Sequence, residues 1–173
     1  MKRPQISLSL LCITFFIGCI QNANALEMKH PRYEESRAKT VVFRDLLKGV
    51  AATDAPFFLA ISGRKGNINP NSKVQRWVGY SKFVHGVSKM ERLCQQMRRH
   101  IKADGMGFLP GGLFTIYGLK WIAQDQIDII GSRKFNPCGD GDVGSYEQYL
   151  FHLKRDKKNN WIVASKFLLA AAG

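Results

Sequence analysis

Two runs near the C-terminus, within Ser145–Leu169, constrain this chain more than any other stretch. SYEQYLFHLKRD places Glu147, Tyr149, Phe151 and Leu153 on one face of an extended strand, and Tyr146, Gln148, Leu150 and His152 on the other. NNWIVASKFLL sets Trp161, Val163, Ser165 and Phe167 against Ile162, Ala164, Lys166 and Leu168. Period-two alternation, aromatic and β-branched residues, and the polar turn Lys154–Asn160 between the runs predict an antiparallel hairpin. A hairpin with an apolar face needs something to pack on, which the rest of the chain must supply.

Leu113–Ile122 and Gln126–Phe135 read as two further strands. The first carries apolar residues on both faces, Leu113, Tyr117, Leu119 and Trp121 against Phe114, Ile116 and Ile122, as expected of a strand covered on both sides or central in a curved sheet. Upstream, Val41, Val42, Leu46, Leu47 and Val50 recur at helical spacings behind Ser36 as cap, so a helix is expected from Ser36. Thr53 or Asp54 would cap a second, short helix with Pro56 in its first turn and Phe57, Phe58, Leu59 and Ile61 behind. Ser62–Ser72 reads as a surface loop; its Gly63-Arg64-Lys65-Gly66 lacks the glycine spacing and Lys-Ser/Thr ending of a phosphate loop. A long helix is expected from Ser81 or Ser88 to Gly105, with Val84, Val87, Met90, Cys94, Met97 and Ile101 as its apolar stripe. Helices followed by a meander predict an α+β domain: N-terminal helices packed on a curved antiparallel sheet of about four strands, a cone-like half-barrel.

The N-terminus predicts export. Lys2 and Arg3 precede an apolar run from Ile6 to Ile20, and Ala23-Asn24-Ala25 forms a small-x-small cleavage site. The apolar run is shorter than the ~20 residues of a bilayer span. A competing processing site is Phe16-Ile17-Gly18-Cys19, which would leave a lipid-anchored Cys19. The expected organisation is a signal peptide over 1–25, a flexible lead over 26–35 and one domain over 36–173, periplasmic or secreted, with no transmembrane segment after cleavage.

Cleavage after Ala25 removes two of four cysteines and leaves Cys94 and Cys138, which an oxidising compartment would join. A bridge closing about 44 residues is worth about 4 kcal/mol in the chain-entropy model.

The chain's formal charge is +13, and loss of Lys2 and Arg3 lowers it by two. Such a charge favours encounter with an anionic surface or an acidic protein. The basic clusters are Arg98, Arg99 and Lys102 on the long helix, and Lys154, Arg155, Lys157 and Lys158 in the hairpin turn. They lack the interleaved aromatics of a single-strand platform, which argues against nucleic acid.

Catalytic motifs are sparse. No Gly-x-Ser-x-Gly elbow, His-x-x-x-His or Cys-x-x-Cys occurs, and Asp140-Gly141-Asp142 lacks calcium-loop spacing, so neither metal nor cofactor is called for. The four histidines, His30, His85, His100 and His152, leave a ribonuclease as a minor alternative. The catalytic candidates are His152, Asp128 and Tyr149, with Asp125 and Tyr117 also eligible on inner strand faces.

The Val41–Ile61 helical pair with its Ala51–Asp54 joint, and Tyr146–Asp156 followed by Asn160-Trp161-Ile162-Val163, resemble the nuclear-transport-factor-two-like (cystatin-like half-barrel) superfamily. The resemblance covers most of the chain after residue 25, and the 62–72 loop and the long helix depart from it. It implies a cone-shaped pocket between helices and sheet, used for small apolar ligands, for isomerisation or dehydration, or as an interaction scaffold. No catalytic residue carries over. The expectation is an exported, basic binding or accessory module without catalysis, a component or partner of a bacterial envelope or secretion system. The rival is a small pocket enzyme, an isomerase, dehydratase or hydrolase.

Overall fold

A computed structural model of the chain describes residues 31–48, 50, 55–79, 83–100, 111–138 and 145–173, with the side chains of 98–100 excepted. The leader, the Cys19 box, Thr53-Asp54, Lys102 and the Asp140–Asp142 loop lie outside the described residues. In order, the elements are α1 (Pro31–Leu47), β1 (Phe57–Gly63), β2 (Gly66–Ile68), α2 (Ser72–Val78), β3 (Val84–Gly86), α3 (Val87–His100), β4 (Gly112–Ala123), β5 (Gln126–Phe135), β6 (Tyr146–Arg155) and β7 (Trp161–Ala172).

The four strands read from the sequence are β4 to β7, a continuous antiparallel meander. They are part of a larger sheet. The described strands form a seven-stranded open sheet in the order β2-β1-β4-β5-β6-β7, with β3 paired to β1. The sheet is mixed, because β1 runs parallel to β3 and to β4.

The expected second helix is therefore a strand. Phe57, Phe58, Leu59 and Ala60 are all buried, since β1 has helices over both faces and strands along both edges. A strand buried on both sides shows an unbroken apolar run, which periodicity cannot separate from a buried helix. The expected loop over 62–72 also folds: Arg64-Lys65 turns β1 into β2, and Asn71 caps α2 by accepting from the Val74 N–H at 2.9 Å. At the other end of α2, Gly79 takes the left-handed φ of 83° that closes the helix.

α1 begins at Pro31, so the second half of the expected flexible lead is helical. Proline suits a first helical turn because its missing N–H has no partner there. Ser36 is thus internal to the helix and not its cap; its hydroxyl donates to the Arg32 carbonyl at 2.9 Å and accepts from Asn71 Nδ2 at 3.0 Å.

Among the described residues helices lie on both faces of the sheet, α1 and α2 on one and α3 over β1 to β3 on the other. α1 lays Ala38, Val42, Phe43 and Leu46 against Leu59, Phe114, Ile116, Ile127, Ile129, Phe151, Leu153 and Trp161, and α2 adds Val74. On the opposite face α3 sets Val87, Met90 and Cys94 against Phe58 and Ala60. Close approach of α1 needs Gly131, where an added Cβ would stand 3.2 Å from Leu46 Cδ1 and 3.3 Å from Val42 Cγ1.

The mixed pattern of β4 has a local cause. Its register with β5 slips between Ile116 and Gly118, leaving Tyr117 as the extra residue of a bulge. Phe114 and Ile116 before the slip, and Leu119 and Trp121 after it, all pack in the α1-side core. One residue changes the parity of the strand.

The sulfurs of Cys94 on α3 and Cys138 after β5 lie at bonding distance, with Cα atoms 5.4 Å apart. No helix of the described residues is long and apolar enough to cross a membrane.

Candidate functional site

The space between α1 and the sheet is filled by Phe43, Phe114, Phe151, Leu46, Ile127 and Ile129, each almost completely buried. An accessible concavity lies at the rim of that core. Its volume is about 520 Å³ and its lining is Tyr33, Arg37, Thr40, Val41, Arg44, Trp77, Asn160 and Trp161.

Three elements build it. On α1, Tyr33, Arg37, Thr40 and Arg44 follow at intervals of four, three and four, which aligns them in one helical stripe. α2 presents Trp77 in its last turn, and the entry to β7 brings Asn160 and Trp161. Tyr33 and Trp77 meet edge to face, with centroids 5.5 Å apart and planes at 90°.

The cations of the cleft are held in place. Arg44 Nη2 donates to the Trp77 carbonyl. Arg37 Nη2 donates to Asn160 Oδ1 at 3.2 Å, while its Nη1 lies 3.5 Å from Glu34 Oε1. Glu34 has other obligations: its Oε2 accepts from Arg155 Nη2 and from Trp161 Nε1, each at 2.9 Å. Arg155 also lies over the Trp161 ring, 4.6 Å from its centroid. Among the described residues Arg44 has no carboxylate partner. Arg37 and Lys73 stand over Tyr33 at 6.0 and 5.4 Å.

The residues singled out in the sequence fall in three other places. Asp128 and His152 meet across β5 and β6, Asp128 Oδ1 against His152 Nδ1, on the face away from α1. The imidazole also contacts the exposed Phe167 ring at 5.3 Å. Tyr149 does not join them. It points to the α1 side, where its hydroxyl donates to Glu147, which also accepts from Arg133 Nε. These two bonds hold the Glu147 carboxyl below its ordinary range, Arg133 contributing most. Burial, then the bond to Glu147, pushes the Tyr149 phenol up. Lys166 lies over the Tyr149 ring at 4.1 Å and reaches Asp45 of α1 at 3.1 Å. Tyr117, in the bulge, accepts from Ser132 Oγ at 3.2 Å; burial and the bond to Tyr117 raise the neighbouring Tyr146 phenol.

No family model, curated protein or solved structure matches the chain.

Of the basic residues expected to meet an anionic partner, Lys154, Lys157 and Lys158 are exposed at the β6–β7 turn. Arg155 is turned inward onto Glu34 and Trp161. Arg98 and Arg99 lie in the last turn of α3, with side chains outside the described residues, as is all of Lys102. Among the described residues no three His, Cys, Asp or Glu side chains cluster as a metal site would require.

Sequence reading missed Tyr33, Arg37, Arg44 and Trp77. The 33-37-40-44 spacing was present as a signal, but a helix started at Ser36 cuts Tyr33 out of the stripe. Trp77 sits in a helix too short to show a period.

Proposed function

We propose that the protein is an exported binding or accessory module that docks an acidic protein partner on the rim formed by the β6–β7 turn and the adjoining face of α1. The observation that carries this reading is the balance of charge at the turn. Lys154, Lys157 and Lys158 are exposed and make no ion pair among the described residues; of the acids nearby, Glu34 and Asp156 are already engaged, which leaves the exposed Asp125 against three lysines. Glu34 serves Arg155, Trp161 and Arg37, and the Asp156 carboxylate accepts from the backbone N–H groups of Asn160 at 2.8 Å and Lys158 at 2.9 Å. Those bonds, Asn160 first, keep Asp156 below its ordinary range and hold the turn in shape. The leader-like N-terminus and the Cys94–Cys138 pair support the exported setting.

A module role is favoured over a pocket enzyme because aromatic side chains fill the place where a cone-shaped cavity would lie. One observation favours the second reading, the Asp128–His152 contact, since a carboxylate can orient an imidazole as a base. Ester or RNA turnover by the pure protein, abolished in His152→Ala, would establish that reading.

The test of docking is titration of a poly-glutamate peptide onto the parent and onto the K154Q/K157Q/K158Q variant. Exposed ion pairs contribute about 0.2–1 kcal/mol each, so the triple change should weaken binding by about three- to a hundredfold at low salt and by less at high salt. Arg155 is left intact, because removing it would strand the Glu34 carboxylate. Equal affinity of parent and variant refutes the proposal.

A further inference from the structure

The cleft beside the basic turn combines two chemistries that one kind of small molecule satisfies together. Its lining holds three aromatic rings, Tyr33, Trp77 and Trp161, and two guanidinium groups, Arg37 and Arg44, with no carboxylate, imidazole or thiol. At about 520 Å³ it falls within the usual 300–1,000 Å³ of small-ligand sites.

The two arginines differ in what they leave for a ligand. Arg37 shares Glu34 and is committed to Asn160. Arg44 spends one contact on the Trp77 carbonyl, and among the described residues no acid offsets its charge. A guanidinium has five N–H donors in a planar fork, so most of those on Arg44 remain for an acceptor. The carbonyl bond fixes the fork in position beforehand, which lowers the ordering cost of binding. A planar oxyanion, carboxylate or phosphate, is the partner such a fork fits. Next to it, Tyr33 and Trp77 stand perpendicular, so a flat ring stacked on one meets the other edge-on, an arrangement aromatic groups favour. Lys73 and Arg37 above Tyr33 add positive potential over the same wall.

We infer that this cleft is a binding site for a small aromatic acid, its ring against Tyr33 and Trp77 and its carboxylate or phosphate on Arg44. The site adjoins the docking surface proposed above, sharing α1 and Asn160 with it, but none of Lys154, Lys157 and Lys158 lines it, so the two can be tested separately.

The test is isothermal titration of the whole chain with four probes: 1-naphthoate, 1-naphthyl phosphate, the neutral 1-naphthalenemethanol and inorganic phosphate. One or both aromatic acids should bind, with the neutral alcohol and the bare phosphate each at least about tenfold weaker. Arg44→Gln, at an exposed position on α1, should cost about tenfold or more for the acids and leave the alcohol unchanged. Trp77→Leu should weaken the acids and the alcohol alike, and K154Q/K157Q/K158Q should alter none of the four. Retained circular dichroism and melting temperature separate loss of the site from loss of the fold. Equal binding of the acid and the alcohol, an Arg44→Gln variant that binds as the parent does, or no binding by either aromatic acid up to about 10 mM would each overturn the assignment, whatever the poly-glutamate titration shows.

Discussion

The bond between Cys94 and Cys138 should be the largest single contributor to stability open to a simple test. It spans 44 residues, which in the chain-entropy model stabilises the fold by about 4 kcal/mol. What lies inside the loop matters as much as its length. It holds the C-terminal half of α3 and all of β4 and β5. β4 and β5 are central strands, carrying Phe114, Ile116, Ile127 and Ile129, and they separate only when the whole sheet does. The constraint therefore acts on the globally unfolded chain and should appear in global unfolding, not as local fraying of α3. For a domain of this size each kcal/mol moves the melting temperature by about 2–4 °C, so loss of the bond should lower it by about 8–16 °C. Thermal unfolding followed by circular dichroism, with and without a thiol reductant, reads this directly. The Cys94→Ala/Cys138→Ala variant should melt near the reduced parent and ignore the reductant. In denaturant, the reduced chain should show a steeper dependence, because its unfolded state exposes more surface. A reduced parent that melts within about 2 °C of the oxidised one would refute the reasoning.

Two further outcomes follow from the core and its margin. Gly131→Val should lower stability by about 1–3 kcal/mol in urea unfolding, because its side chain must enter space bounded by Leu46, Val42 and the Phe151 ring 3.4 Å away. Glu147→Gln should alter the pH dependence with a definite sign. The carboxyl is held below its ordinary value of 4.5 in the fold, so its contribution is present above about pH 4.5 and is lost as pH falls through the lowered folded value. The gap between parent and variant urea midpoints should thus be wide at pH 7 and close towards pH 3.

The meander was legible because each of its strands shows water one face or one half of its length. Phe151, Leu153, Trp161 and Val163 pack on the inner side as their alternation implies, but a register slip after Val163 breaks the expected alternation of β7, placing Phe167 against His152 and Lys166 over Tyr149. β1 was not legible, because burial on both faces removes the alternation that identifies a strand. The bulge at Tyr117 disguised β4 in the opposite way, making one buried face look like two. The Asp128–His152 pair could not be read, since it depends on the β5–β6 register, and neither could the cleft, whose lining comes from three segments far apart in sequence.

The parallel pairing of β1 with β4 also sets an order in time. Each strand of the β4–β7 meander has a partner next to it in sequence, whereas Phe57 must find Gly112 after β2, α2, β3 and α3 have intervened. Such non-local pairing closes late, because chain entropy is lost before any contact compensates it. On the proposed export route the N-terminal half emerges first. Phe57-Phe58-Leu59-Ala60, the most apolar run of the domain's first half, has β3 on one edge but waits without its β4 neighbour on the other until Gly112–Ile116 arrive. During that interval it is the segment a holding chaperone would seize, and the one through which a stalled chain would aggregate.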